Sequence, residues 1–398
     1  MRMANGVRLT RAAPQPKLLS SGLERGEPLP IPKILPSNPA YRAIVSATGA
    51  MRALILVGLS VALSIGNAEP GAADCAPLGK IQFLCGIVSP EDFAVVPGSE
   101  WIIISGNKAG QGAIRTLNVR DKTVTNLFPS AGVKTRPDKV EYPTCPGPID
   151  PADSVEKAQF AAHGLYLKPG SKTVHTLYVV HHGSRESVEV FELDGAARPP
   201  ALTWVGCVVA PENGRFNAVV ALPEGGVAAT NTPRSASSAA ERGASGGVNM
   251  GAVWEWHVGT GWKAVPGSEA DRINGLEISK DGHWFYIAGW GDQTFIRVRR
   301  GQTPVERDVL SMPFRIDNVR ATPEGSLLAA GHGGTALCSC PTETWHIGKI
   351  DPDAMKVQEL LRQPYIEGFG AATVAVQVGK EIWIGTNRGD RIGRFPAP

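Results

Sequence analysis

A short phrase recurs six times between residues 91 and 387 and limits what this 398-residue chain can fold into. Each copy has an opening residue that is usually polar, an alternating apolar run, a turn and a second apolar run. The copies are Glu91–Gly106, His163–His182, Asn217–Asn231, Asn274–Trp290, Asp317–His332 and Ala371–Asn387. A repeated two-strand unit at this spacing is typical of a β-propeller, in which each blade is one small antiparallel sheet. The sequence therefore predicts an all-β protein, a six-bladed β-propeller.

The spacing of the copies agrees with this architecture. From residue 163 onwards the openings lie 44 to 57 residues apart, about the length that four short strands and their turns require. The longer step from 91 to 163 indicates an insertion. We place it at 129–156, where prolines crowd a stretch with little strand character.

The first 68 residues are expected to precede the propeller. Residues 51–68 have a basic start, a short apolar core and a small-x-small ending, which predict a signal peptide cleaved near Ala68. The apolar run is shorter than the roughly 20 residues that span a bilayer, so we expect no stable membrane span in the mature chain; an uncleaved anchor is the alternative. Residues 1–50 lack apolar periodicity and are expected to be disordered or an over-long gene start. The prediction is one domain over 69–398, secreted or periplasmic.

Removal of that leader reverses the net charge. The leader holds eight of the 40 basic residues and two of the 37 acidic residues, which leaves 32 basic and 35 acidic side chains in 69–398. A near-neutral domain lacks the clustered basic face that binds phosphate backbones. Nucleic acid is therefore not an expected partner.

All six cysteines follow the predicted cleavage point. Thiols of an exported protein are commonly oxidised, but six cysteines allow 15 complete pairings and the sequence does not choose among them. A structural zinc site is the rival interpretation, and it is disfavoured because no Cys-x-x-Cys pair occurs. We expect disulfides of unassigned connectivity.

Five of the six copies open with Glu, His, Asn or Asp. In a propeller the innermost strand of each blade starts at the mouth of the central channel, so these side chains converge on one point. The oxygen-bearing candidates are Glu91, Asn217, Asn274, Asp317 and Asn318. Two carboxylates and several amide oxygens suit Ca²⁺, which accepts about six to eight oxygen ligands in flexible geometry, better than Mg²⁺. A single Asn before a strand is usually a turn residue, but this repeated pattern predicts a calcium site.

Two histidines flank one predicted hairpin. His163 begins its first strand and His182 follows its second strand, so both lie at the channel mouth. A histidine with an ordinary pKa of about 6.5 is suited to general-base catalysis at neutral pH. His181 competes with His182 for this position, although strand alternation would turn His181 to the other face.

Four segments of the chain resemble a known family. They are His163–Leu165, Leu177–Phe191, Arg272–Ser279 and Arg315–Val319. Their sequences and order are similar to those of the paraoxonase/arylesterase branch of the gluconolactonase-like (senescence marker protein-like) calcium propellers. The resemblance spans roughly 85–398. It implies a calcium ion at the top of the channel that binds the carbonyl or phosphoryl oxygen of a small-molecule substrate, and hydrolysis of lactones and aryl esters.

The resemblance also implies roles for individual residues. The catalytic calcium ligands would be Glu91, Asn217, Asn274, Asp317 and Asn318. His163 and His182 would form a dyad in which one imidazole deprotonates the attacking water and the other orients it, with His182 favoured over His181. Three further residues are expected to line the substrate pocket: His332, Trp290 and Phe314. Packing between blades is the alternative role for the two aromatic residues.

The family has a second, structural calcium ion, for which this chain departs from the pattern. Asp92 fits as one ligand, but Ala218 stands where an acid is expected, so the sequence leaves this ion open. The family's disulfide between the chain ends also lacks a partner, because no cysteine follows Cys340. Closure of the ring must then rest on strand pairing or on another bridge.

Two other functions stay open alongside an ester or lactone hydrolase. One is a non-catalytic exported propeller that keeps calcium as a structural plug and binds a ligand or protein. A structural calcium plug does not require the pair His163 and His182. The other is a sugar lactonase of the gluconolactonase type, which would need more polar pocket walls than the predicted aromatic residues provide. The sequence predicts neither the natural substrate nor the oligomeric state.

Overall fold

The computed structural model describes residues 73–108, 110–130, 132–149, 160–232, 250–333 and 343–398. The predicted leader lies outside these ranges, as do Cys338 and Cys340. The described residues form 27 β-strands in six small sheets. Within the same ranges the chain has no helix that is long and apolar enough to cross a membrane.

The strands follow one another in six blades. The described residues start with β1 (Ala73–Leu78) and β2 (Ile81–Cys85), which belong to the last blade. Blade 1 contains β3 (Pro90–Val95), β4 (Trp101–Gly106), β5 (Ala113–Asn118) and β6 (Val124–Phe128). Blade 2 contains β7 (Lys134–Thr135), β8 (Phe160–Lys168), β9 (Val174–Gly183), β10 (Ser187–Asp194) and β11 (Ala201–Val209). Blade 3 contains β12 (Phe216–Ala221), β13 (Val227–Asn231), β14 (Met250–His257), β15 (Gly261–Ala264) and the short β16 (Ala270–Asp271).

The other three blades complete the ring. Blade 4 contains β17 (Ile273–Ile278), β18 (Trp284–Gly289), β19 (Thr294–Arg299) and β20 (Arg307–Ser311). Blade 5 contains β21 (Arg315–Ala321), β22 (Leu327–Gly333), β23 (Thr344–Asp351) and β24 (Lys356–Pro364). Blade 6 contains β25 (Val374–Val378), β26 (Glu381–Gly385) and β27 (Arg391–Pro396), followed by β2 and β1.

The predicted six-bladed propeller is confirmed. Each sequence copy supplies the first two strands of one blade, because two short apolar runs around a tight turn form an antiparallel hairpin. The first strand of every blade contacts the first strand of the next, and the ring closes between β25 and β3. These six inner strands surround the central channel.

Strand pairing closes the ring. The N-terminal strand β2 pairs with the C-terminal strand β27 in antiparallel register, with Gln82 opposite Arg394 and Cys85 opposite Arg391. A disulfide between Cys75 and Cys85 links β1 to β2 within this blade. The two ends of the described chain are therefore held in one sheet.

The apolar core lies between adjacent blades. Strands β4 and β13 are buried at every position, because both faces of a middle strand are covered by neighbouring blades. Trp345 and Trp383 are the largest fully buried side chains. In the described part of the predicted insertion, residues 132–149 form one two-residue strand, β7, which pairs with β11, and Cys145 is bonded to Cys207.

Candidate metal and catalytic site

The residues that open five of the copies lie at β-bulges. In five of the inner strands the register with the second strand of the same blade shifts by one residue. At each shift, two residues of the inner strand lie opposite one residue of the second strand. The pairs at these shifts are Glu91–Asp92, His163–Gly164, Asn217–Ala218, Asn274–Gly275 and Asp317–Asn318. A bulge interrupts the regular alternation of a strand and re-aims its side chains. The predicted site residues therefore share one local backbone feature, repeated around the channel.

Close approach of neighbouring inner strands explains the small residues at these bulges. A Cβ atom added to Gly164 would lie 2.4 Å from the carbonyl oxygen of Asn217 in the next blade. At Gly275 it would lie 2.6 Å from the carbonyl oxygen of Asp317. Thr230 adds a hydrogen-bonded link, since its hydroxyl donates to the carbonyl oxygen of Asn274 over 2.6 Å. The bulges thus pack directly against one another.

Several buried oxygen atoms at these bulges have no hydrogen-bond partner among the described residues. They are Glu91 Oε1 and Oε2, Asn217 Oδ1, Asn274 Oδ1 and Asn318 Oδ1. A buried polar atom without a partner is costly, and such atoms in native proteins call for an explanation. All five are acceptors, so a cation would satisfy them together.

The charge on Asp317 supports the same conclusion. Burial, and then the negative charges of Glu91 and Asp92, raise the pKa of Asp317 well above its ordinary value. A bound cation reverses this effect, because it stabilises ionised carboxylates. Asn318 Nδ2 lies 3.5 Å from Asp317 Oδ1, which leaves its own carbonyl oxygen as an acceptor.

The donor set is made of hard oxygen atoms. The described residues contain no group of three or more His, Cys, Asp or Glu side chains that could hold a metal ion. The donor set at the bulges instead combines two carboxylates, those of Glu91 and Asp317, with the side-chain amide oxygens of asparagines. This combination suits Ca²⁺ rather than zinc or another thiophilic metal. The residues present therefore fit calcium.

His163 and His182 form a hydrogen-bonded pair beside these oxygens. His163 Nδ1 lies 2.8 Å from His182 Nε2, and His163 Nε2 lies 3.3 Å from Glu91 Oε1. On the other side, His182 Nδ1 lies 3.0 Å from Glu186 Oε2. The second carboxylate oxygen of Glu186 accepts a hydrogen bond from the backbone N–H of Phe216 over 2.8 Å, which fixes its position.

When a cation occupies the oxygen atoms of Glu91, the hydrogen bonds at Glu186 set the tautomers of both rings. An ionised Glu186 only accepts, so His182 Nδ1 donates to it and the neutral His182 accepts at Nε2. His163 Nδ1 must then be the donor to His182, which leaves a lone pair on His163 Nε2. Burial, and to a smaller extent the charges of His163 and Arg215, lower the pKa of His182 although Glu186 opposes the shift. In this state the lone pair of His163 Nε2 faces the oxygen atoms at the bulges.

His181 is directed elsewhere. Its ring is fully buried and stacks on Phe160, with ring centroids 5.0 Å apart and an interplanar angle of 13°. Burial lowers the pKa of His181 to about 4. The structure thus brings His182 to His163 and places His181 in the core.

Asp92, expected from the resemblance as a ligand of a second ion, is paired with Arg320. Asp92 Oδ2 forms an ion pair with Arg320 Nη2 and accepts the N–H of Leu165 over 2.6 Å. The guanidinium group of Arg320 also donates to three backbone carbonyls, those of Val319, Leu165 and Leu276. Arg320 is nearly completely buried and connects the inner strands of blades 1, 2, 4 and 5.

Of the three expected pocket residues, two contact each other and the third packs elsewhere. Trp290 Nε1 donates to His332 Nε2 over 3.1 Å, so these two side chains are together. Phe314 is fully buried and stacks on His346 with ring centroids 5.0 Å apart. Phe314 is therefore a packing residue of blade 5.

The sequence did not predict roles here for Glu186, Asn387 and Arg320. Glu186 follows His182 by four residues, and that spacing across a turn was the available signal. Asn387 ends the sixth copy, and its Oδ1 is also buried without a partner. Thr386 donates its N–H to the carbonyl oxygen of Pro90, so this segment lies beside the start of β3. Arg320 carried no signal, because a charged residue within an alternating strand usually faces solvent.

Comparison with known proteins identifies the architecture. Neither a protein-family model nor a curated protein sequence matches the chain. A solved luciferin-regenerating enzyme aligns over 79% of this chain and 92% of its own, at 13% identity and a TM-score of 0.50. A gluconolactonase from Xanthomonas campestris aligns over 84% of this chain and 99% of its own, at 16% identity and a TM-score of 0.50. At these identities the likeness shows the fold, and the chain shares the six-bladed architecture of gluconolactonase-like propellers.

Proposed function

We propose that this chain is a calcium-dependent hydrolase of lactones and aryl esters, of the paraoxonase/arylesterase type. The observation that supports this best is the hydrogen-bonded pair of His163 and His182 beside buried oxygen atoms that lack hydrogen-bond partners. Hydrolysis of an ester needs an electrophile that polarises the carbonyl and a base that deprotonates water. This site offers residues for both tasks.

The cation would be held by the residues at the bulges. They are Glu91, Asn217, Asn274, Asp317 and Asn318. When bound, Ca²⁺ polarises the substrate carbonyl and stabilises the negative charge that develops on its oxygen. Asp92 does not belong to this set in our proposal, because Arg320 already neutralises it.

The histidines would move the proton. His163 Nε2 accepts a proton from the attacking water, and His182 orients His163 through their 2.8 Å hydrogen bond. Glu186 stabilises the positive charge that the pair gains. The same proton then passes to the departing alkoxide, which becomes an alcohol or the hydroxyl of an opened ring.

We also propose that the protein is exported. Two disulfides, Cys75–Cys85 and Cys145–Cys207, agree with an oxidising compartment. The signal peptide over 51–68 stays a prediction from the sequence. N-terminal sequencing of the exported protein would test cleavage near Ala68.

The test of the function is an assay of the exported protein on phenyl acetate, γ-butyrolactone, δ-valerolactone and glucono-δ-lactone, with Ca²⁺ and with a chelator. We expect turnover that needs Ca²⁺ and that His163→Gln lowers by about 10²- to 10⁴-fold in kcat. The matched control is His283→Gln, because His283 is exposed on the turn before β18. Its kcat should equal that of the wild type.

Each other result has a defined meaning. Turnover of glucono-δ-lactone alone would favour the sugar lactonase. A folded protein that binds Ca²⁺ but hydrolyses none of the substrates would favour the non-catalytic propeller. Turnover that survives both chelation and His163→Gln would contradict the proposed mechanism.

A further inference from the structure

Three arginines stand at equivalent places in blades 3, 4 and 5. Arg215, Arg272 and Arg315 each precede a site residue by two positions, namely Asn217, Asn274 and Asp317. All three lie where the chain enters an inner strand, at the same end of the channel as the bulges. The repeat thus places three positive charges on one side of the channel mouth, next to the buried oxygen atoms at the bulges.

Two of these arginines contact Trp290. The guanidinium carbon of Arg315 lies 4.8 Å from the centroid of the indole ring, and that of Arg272 lies 5.6 Å from it. Arg315 Nη1 is also fixed by the carbonyl oxygens of Trp290 and Gly291, at 3.0 and 2.7 Å. A guanidinium that stacks on an aromatic ring uses its face, so the N–H groups at the edge of Arg272 are directed away from the ring and can bind an anion.

The backbone of Arg272 is also unusual. Its φ is 47°, in the left-handed region that residues other than glycine rarely adopt. Such strain is found at binding sites, where the surrounding structure fixes a side chain in place. Among the described residues, no acidic side chain forms an ion pair with Arg272.

His332 supplies an independent observation. Only 3% of this residue is exposed, and its Nε2 accepts the hydrogen of Trp290 Nε1. The hydrogen of a neutral His332 must then be on Nδ1, and this atom has no hydrogen-bond partner among the described residues. Burial, and next the positive charge of Arg388, lower the pKa of His332 to about 4. The ring of His332 is therefore neutral, and the geometry of its Nδ1–H to the Gly333 backbone is too poor for a hydrogen bond.

The group of donors borders the proposed cation site. In the pairing of β21 with β22, Arg315 lies directly opposite His332. Arg315 belongs to the same strand as Asp317, two residues away. A ligand group bound here would be part of a substrate whose carbonyl lies at the bulges.

We infer that the substrate carries a carboxylate group, which binds to the Trp290 side of the mouth through Arg272, Arg315 and the Nδ1–H of His332. Arginine N–H groups bind carboxylates through strong, charge-assisted hydrogen bonds. This inference rests on the proposed function and adds the class of substrate. The natural substrate is then an anionic lactone or ester.

The test compares matched pairs of substrates. One pair is γ-butyrolactone and its 5-carboxylate; the other is phenyl acetate and 4-acetoxybenzoate. We expect kcat/KM to be at least about tenfold higher for the carboxylate member of each pair, equivalent to 1.4 kcal/mol. The preference should weaken at high ionic strength, because salt screens the charges.

Variants of Arg272 identify the binding group. Arg272→Met should bring the ratio of kcat/KM within each pair close to one, and Arg272→Lys should retain part of the preference. Arg299→Met is the control, because Arg299 lies at the end of β19, pairs with Glu306 and is 44% exposed. That variant should keep the ratio of the wild type.

Failure of the inference differs from failure of the function. Equal kcat/KM within each pair, or a preference for the neutral members, in an active enzyme would overturn the carboxylate site and leave the hydrolase intact. An unchanged ratio in Arg272→Met would also overturn it. No turnover of any of the four compounds would overturn both.

Discussion

With a cation on Glu91, Glu186 decides which ring nitrogen of each histidine carries hydrogen. Its carboxylate accepts from His182 Nδ1, and this sets the direction of the hydrogen bond to His163. The side chain of Glu186 is itself fixed by the backbone of Phe216. One carboxylate thus orients both imidazoles, in the way that a buried acid orients the histidine of a hydrolytic triad.

Substitution Glu186→Gln should therefore lower kcat by about 10²-fold or more, because an amide neither fixes the tautomer nor stabilises the positive charge. KM should change much less. Steady-state kinetics on phenyl acetate measures both, with Glu186→Asp as the conservative variant that retains part of kcat. The control is Glu192→Gln on β10, a half-buried residue that is paired with Arg136 on the outer part of blade 2. An unchanged kcat in Glu186→Gln would show that the histidine pair does not depend on it.

His181 should make stability depend on pH. Burial lowers the pKa of His181 to about 4 in the folded chain, against about 6.5 when unfolded. As pH falls from 6.5 towards 4, the unfolded chain binds a proton that the folded chain does not, so stability falls. This residue would account for up to roughly 3 kcal/mol of that loss.

Urea unfolding of the wild type and His181→Gln between pH 7 and pH 4.5, at constant Ca²⁺, measures this effect. The variant should lose less stability on acidification than the wild type does. The variant is expected to be less stable than the wild type at pH 7. The quantity compared is therefore the change in the free energy of unfolding between pH 7 and pH 4.5 for each protein. An equal difference in both proteins would contradict the assignment.

The inner strands act as a set of equivalent elements. Five of them place a bulge at the equivalent position, and the second residues of two bulges, Gly164 and Gly275, pack against the next blade. Glycine is required where that contact is closest, as at Gly275, whose added Cβ would also lie 2.6 Å from Asn318 Cα. The position of two ligand-bearing strands relative to each other therefore depends on a residue without a side chain.

Gly275→Ala should separate β17 from β21 and weaken calcium binding together with turnover. Overpacking of this kind costs about 1 to 3 kcal/mol of stability. Calorimetric titration of Ca²⁺ and thermal unfolding measure the two effects. The control is Gly132→Ala, where the nearest atom to the added Cβ is Ser130 Oγ at 3.8 Å. Calcium affinity equal to the wild type in Gly275→Ala would show that the bulges do not position the ligands.

The strands and blades could be predicted from the sequence, but the bulges and the contacts between blades could not. Alternating apolar runs around turns identify hairpins, so all six blades were located from their inner two strands. The bulges were not predicted, because register depends on contacts between blades that are distant in sequence. Arg320 was missed for the same reason, since its partner Asp92 is 228 residues away. For Phe314 the sequence left pocket wall and blade packing open, because aromatic residues serve equally in walls and in cores.

At the scale of the whole molecule, charges within the channel hold the blades together. Arg320 lies two residues beyond Asn318 and is bonded to Asp92, which directly follows Glu91. Buried groups from four blades thus converge on one guanidinium next to the proposed cation site. A second cation at Asp92 would have to displace Arg320, and like charges within a few ångströms repel strongly in a buried site. We therefore expect a single calcium ion in the channel.

The most direct test is to add Ca²⁺ back to chelator-treated protein and to follow binding and hydrolysis in the same titration. Calorimetry should give a channel stoichiometry of one, and the rate on δ-valerolactone should rise from near zero with the same Kd. Asn274→Leu should weaken both in parallel, because it removes one of the oxygen atoms that lack a partner. Hydrolysis that persists without Ca²⁺, or Ca²⁺ binding that leaves the rate at zero, would contradict the account.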